Sequence, residues 1–93
     1  MSSEEQTPDA IDIHQVIAIM IDQVAAIGWQ KLGLQPDPLS GKMAQDLTQA
    51  KVAIDVVADL AKYLEGKLDD QDQRQIHNLV SDLRINYVQR TSN

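Results

Sequence analysis

Between Ala10 and Leu32 the chain runs without a proline and with a single glycine, Gly28, so nothing in the stretch stops a helix. On a helical wheel centred on Met20, the residues Ile13, Val16, Ile17, Val24 and Ile27 gather around the centre as an ordinary core face. The far side is apolar too. Ile11, Ala18, Ala25 and Trp29 lie opposite Met20, Ile21 and Leu32 extend one flank, and Asp12, Gln15, Asp22, Gln23 and Gln30 share a polar wedge. A helix that is apolar over more than half its circumference is normally buried on two sides. A chain of 93 residues has little else with which to bury it.

The rest of the chain resolves into two more helices. Leu32-Gly33-Leu34-Gln35-Pro36-Asp37-Pro38-Leu39-Ser40-Gly41 breaks the first, because Gly33 can adopt the left-handed conformation and each proline holds its predecessor extended. Leu47, Ala50, Ile54, Val57, Ala61 and Leu64 then recur at alternating spacings of three and four, with Ala53, Val56, Leu60 and Tyr63 as a second stripe beside them. Lys51 and Asp55 stand four apart on the outside as an ion pair. Lys67 to Asp72 forms a turn in which Asp69 or Asp70 can cap the next helix, whose apolar positions are Ile76, Leu79, Val80, Leu83 and Tyr87. Helices are thus expected at about 10–32, 45–65 and 70–89 within one domain covering 10–90. A disordered acidic leader at 1–9 and a frayed tail at 91–93 flank it. No strand pattern or internal repeat occurs.

Composition narrows the function classes. Without cysteine there is no disulfide framework, thiolate zinc site or cysteine nucleophile, which suits a reducing cytoplasm. Eight basic against fourteen acidic residues exclude a generic nucleic-acid surface. Five of the acids (Glu4, Glu5, Asp9, Asp12, Asp22) precede the first base, Lys31. The most apolar run, Val16 to Ile21, is too short to cross a membrane, which takes about 20 residues.

Motifs for chemistry fail one by one. His14 and His77 lack the local pairing that metal sites show. Asp69, Asp70 and Asp72 invite a calcium loop, but Gln75 and Ser81 stand where it needs Gly and Glu. Gly41-Lys42 is followed by Met43 and is no phosphate loop, and no serine sits in a nucleophile elbow. No catalytic residue, metal ligand or cofactor is therefore expected, and the chain is expected not to be an enzyme. The candidate site is instead a surface. Ile11, Ala18, Ala25 and Trp29 form a contiguous strip off the main stripe of the first helix, and Ile85 is the bulky apolar residue off that of the third.

Leu32-Gly33, Pro36-Asp37-Pro38, Gly41-Lys42, Asp46-Leu47, Ala50-Lys51, Ile54-Asp55, Asp82-Leu83-Arg84 and Tyr87-Val88 follow in order at characteristic spacing. In these residues, over about 12–88, the chain resembles a family of short all-helical bacterial proteins known as domain of unknown function 1844. The stretch from Lys62 to Asp70 departs from that family's usual turn. The resemblance implies a bacterial cytosolic protein and supplies no activity, ligand or catalytic residue. Among the shared positions, Asp55 and Arg84 border the apolar faces of helices two and three. Arg84 is expected to lock the bundle by bonding a carboxylate or the loop carbonyls between the first two helices.

The expectation is an all-α fold, either a three-helix bundle or a long helical hairpin plus a third helix, completed by dimerisation. It would act as a non-catalytic, self-associating interaction module in the cytoplasm, as a homodimer or with another protein, without nucleic acid or membrane. The alternative is a bundle that holds a small apolar ligand in an aliphatic cavity.

Overall fold

A computed structural model describes residues 10–92, so the expected leader at 1–9 lies outside the described residues. Three α-helices follow in order: α1 (Ile13–Lys31), α2 (Leu47–Lys62) and α3 (Asp70–Thr91). Each begins on an aspartate whose carboxylate accepts from a first-turn N–H: Asp12 from His14, Asp46 from Gln49 and Asp69 from Asp72. The boundaries differ from 10–32, 45–65 and 70–89 because these caps set the starts and local turns set the ends. α2 stops three residues short of Glu65, followed by a tight turn through Gly66 (φ +74°), while α3 extends through Thr91; of the expected tail at 91–93, Asn93 lies outside the described residues. Among the described residues the only β-type pairing is an isolated bridge between Leu32 and Gln45.

α1 and α2 form an antiparallel hairpin, and α3 packs mainly on α2 and least on α1. The core contains Ile21, Ala25 and Leu32 from α1 and its cap, Ala50, Ala53, Ile54, Val57, Ala61 and Leu64 from α2 and its turn, and Val80 and Leu83 from α3. Ile76, Leu79 and Tyr87 of α3 are only half-buried against it.

The face of α1 that turns inward is not the expected one. Ile21, Ala25, Gly28 and Leu32, spaced four, three and four apart, form the buried line, while Ile13, Met20 and Ile27 stay 59%, 41% and 47% exposed. Small residues decide this. Gly28 lies where a Cβ would sit 3.5 Å from both Ala53 Cβ and Leu83 Cδ2, so α1 meets α2 and α3 together at a position with no side chain. Close backbone approach brings more atoms into contact than the bulkier Met20 face would allow at a wider helix separation.

The spacing at Gly28 separates two substitutions. Gly28→Ala leaves only ordinary van der Waals contacts and gains helix propensity, so it is expected to stabilise by about 0.5–1 kcal/mol. Gly28→Leu overpacks the same point and is expected to cost about 1–3 kcal/mol. Urea unfolding of the two variants checks the pair; equal midpoints would show that the helices do not meet there.

Candidate functional site

The end of α1 is the most heavily bonded point of the molecule. Gly33 adopts φ +83°, and Gly33 N–H and Leu34 N–H donate to the carbonyls of Gln30 and Trp29, both at 3.0 Å. This double bond pattern is a Schellman stop, which needs a left-handed residue at that position and so favours glycine. The carbonyl of Lys31 accepts from Asp46 N–H at 2.8 Å, tying the start of α2 to the end of α1. The carbonyl of Leu32, whose side chain is fully buried, accepts from Arg90 Nε at 3.0 Å and from Gln45 Nε2 at 3.4 Å. Arg90 Nη1 also donates to the Asn86 carbonyl and to Asn86 Oδ1, both at 3.1 Å, which holds the guanidinium in place. All three helices therefore meet at Leu32.

Between Leu32 and Asp46 the loop is organised by Asp37. Its Oδ1 accepts from Leu39 N–H at 2.7 Å and Ser40 N–H at 3.1 Å, and its own N–H donates to the Lys42 carbonyl at 2.9 Å. The two backbone N–H donors, Leu39 before Ser40, hold the carboxyl below its ordinary value of 3.8. Gly41, at φ +71°, then turns the chain so that its N–H reaches the Asp37 carbonyl at 2.7 Å. Pro36-Asp37-Pro38 is thus a self-bonded turn rather than a ligand cradle.

The expected lock sits elsewhere. Asp55 accepts from Lys51 Nζ at 2.8 Å, a bond that raises the lysine pKa. Asp55 and Arg84 both line a pocket of about 240 Å³ beside Ile54, Tyr87 and Val88, but no hydrogen bond or ion pair joins them. The guanidinium that bonds the carbonyl between the first two helices belongs to Arg90, six residues on. Arg90 reaches Leu32 because the last turn of α3 lies beside the end of α1.

The expected interface strip is also dispersed. Ala25 is buried in the core, Ala18 and Trp29 are half-buried against it, Ile11 is exposed ahead of α1, and Ile85 lies on α3. Ile85 lines an open groove of about 420 Å³ between α2 and α3, whose rim carries Lys62, Glu65, His77 and Arg84. Those five residues make no common surface, because Ala25 and Trp29 serve the inner packing of α1.

The surface left uncovered is a different one. Ala18 and Asp22 of α1 border a pocket with Leu68, Asp72 and Ile76, so that side of α1 turns toward α3. Ile13, Met20 and Ile27 stand on the other side. On α2, Ala58, Ala61 and Lys62 line the groove with α3, and Val52, Val56 and Tyr63 occupy the far side, all exposed. The hairpin therefore carries α3 on one face and an apolar stripe from each of its two helices on the opposite face. Among the described residues no three His, Asp or Glu side chains come together as a metal site, and no helix is long and apolar enough to cross a membrane.

The loop and the helix pattern around it coincide with a known family. The profile of the domain of unknown function DUF1844 matches residues 14–89. The chain belongs to this family. No curated protein and no solved structure matches it.

Two expectations follow from the bonding. Arg90→Ala is expected to destabilise by about 1–3 kcal/mol, and Arg90→Lys by a good part of that, since an ammonium cannot serve Leu32 and Asn86 with the same fork. Arg84→Lys is expected to stay within about 0.5 kcal/mol, so chemical unfolding of the three variants tests which arginine is the lock. The lowered carboxyl of Asp37 makes the loop pH-sensitive. Its contribution is present above the unfolded value of 3.8 and is lost as pH falls through the lower folded value. Amide exchange at Leu39 and Ser40 should accelerate in that acid window, and Asp37→Asn should abolish the pH dependence.

Proposed function

We propose that this protein is a small, non-catalytic interaction module of the bacterial cytoplasm that works as a self-associated pair. The observation that supports it is the uncovered face of the α1–α2 hairpin, where Ile13, Met20 and Ile27 stand beside Val52, Val56 and Tyr63. Scattered apolar residues on a surface need no explanation, but two adjacent stripes on one face mark an interaction site.

The ionisable groups support a non-catalytic role. The shifted ones, Asp37 and Lys51, owe their shifts to a loop turn and to a surface ion pair rather than to a buried, polarised pocket. The absence of cysteine fits the proposed cytoplasmic address. A role in binding an apolar ligand has less behind it, because the α2–α3 groove is open and rimmed by charged side chains.

Light scattering at micromolar concentration is expected to give twice the chain mass of 10.3 kDa. Met20→Asp is expected to give the single-chain mass with the helical circular dichroism retained, because Met20 is exposed within one chain and its loss leaves the core intact. A single-chain mass for the unaltered protein would overturn the proposal.

A further inference from the structure

The exposed stripe on α1 is symmetric about one residue. Ile13 and Ile27 lie seven residues on either side of Met20, and Val16 and Val24 lie four on either side. All five residues are exposed or half-buried. A two-fold interface is isologous: if residue i touches j in the second copy, then j touches i. Two α1 helices crossing antiparallel at Met20 meet that condition. Ile13 of each copy then faces Ile27 of the other, Val16 faces Val24, and Met20 faces itself. Ile17, whose mirror position is Gln23, is half-buried against its own core, as is Val24, so the exposed residues that carry the symmetry are Ile13, Met20 and Ile27.

Charge selects the same direction. α1 has Asp12 at its start and Lys31 at its end, while Asp22 turns away toward α3. Parallel pairing would bring the two Asp12 ends together and the two Lys31 ends together. Antiparallel pairing brings Lys31, in line with the stripe, to the end of the second copy that carries Asp12, and opposes the helix dipoles. The size is adequate as well. α1 is about 28 Å long, and with α2 alongside the face is two helix diameters wide, a projected area on the order of 500–600 Å² before side-chain relief. A standard interface takes about 800 Å² of accessible surface from each partner.

Resting on the self-association proposed above, we infer that the occupant of this face is a second copy of the same chain, bound antiparallel with the two-fold axis at Met20. Two hairpins then form a four-helix layer, and each α3 lies on the outside. Methionine suits the axis, because its flexible, polarisable side chain adapts to an identical neighbour.

The absence of cysteine makes the geometry directly testable. The single variants Met20→Cys, Ile13→Cys and Ile27→Cys are treated with mild oxidant or a short bis-maleimide, and Ile13→Cys is also mixed with Ile27→Cys. Met20→Cys is expected to convert mostly to the crosslinked dimer. Ile13→Cys and Ile27→Cys should stay largely uncrosslinked alone and should crosslink when mixed. Self-crosslinking of Ile13→Cys would show a parallel pair, and a dimer whose Met20→Cys variant does not crosslink would place the axis elsewhere; either result overturns this arrangement while leaving self-association standing. A single-chain mass for the unaltered protein overturns both. Circular dichroism and mass of each variant before crosslinking exclude a folding failure, and Met20→Lys mixed with Met20→Glu supplies a second readout. Each should be a single chain alone and they should pair when combined; pairing of either one alone would remove Met20 from the axis.

Discussion

The carbonyl of Leu32 is the point on which the arrangement of the three helices depends. A helix end leaves carbonyl groups without intrahelical partners, and burying such an end is tolerable only if they are bonded. Here the end of α1 lies against the core, with Leu32 inaccessible to solvent. Its carbonyls are satisfied from three directions: by the Gly33–Leu34 backbone, by Asp46 and Gln45 at the start of α2, and by Arg90 at the end of α3. Each bond fixes a different element relative to α1. Removing any one would leave a buried acceptor short of a partner, which costs more than the bond itself contributes in water. The 32–46 loop, stiffened by Asp37 and two prolines, then returns the chain at the position where Asp46 can reach Lys31.

With that end fixed, the choice of the inner face of α1 follows from size rather than from hydrophobicity. Ala25 and Gly28 let α1 approach α2, where Ala50, Ala53 and Ala61 are equally small, and the gaps between are filled by Ile21, Ile54, Val57 and Leu64. Both helices therefore hide their small residues and present larger ones outward. The aliphatic composition, without phenylalanine, allows this, since no bulky ring holds the helices apart. α3 contributes only Val80 and Leu83 to the fully buried set, so it closes one side of the hairpin without reaching round to the other.

Much of this is legible in the sequence. Spacings of three and four name five of the six buried positions in α2 and the turn after it, and Gly33 and Gly66 mark stops because only a left-handed residue fits there. The aspartates ahead of each helix announce its start. What the pattern does not contain is which of two apolar faces on α1 lies inside. A wheel weights Met20 and Ile27 above Ala25 and Gly28, whereas packing rewards the reverse when the partner helix is rich in alanine. The roles of Ala25 and Met20 are therefore exchanged relative to the wheel: Ala25 is buried and Met20 exposed. The Arg90 bond was hidden for a related reason. It joins residues 58 apart in sequence, and a long-range contact of one side chain with one carbonyl leaves no periodicity to detect.

The two faces of α1 make different demands, and they can be varied separately. The inner face tolerates little change in volume, because a side chain larger than a methyl at Gly28 would push against two helices at once. The outer face needs only to stay apolar and, for a two-fold pair, to read the same from either end. In the proposed pair such a helix would link folding to association: the second copy would remove from water part of the apolar surface that three helices of this length leave exposed. In that pair the apolar girth of α1 would be divided between one chain's core and the shared surface, which would account for Ile13, Met20 and Ile27 standing uncovered within a single chain.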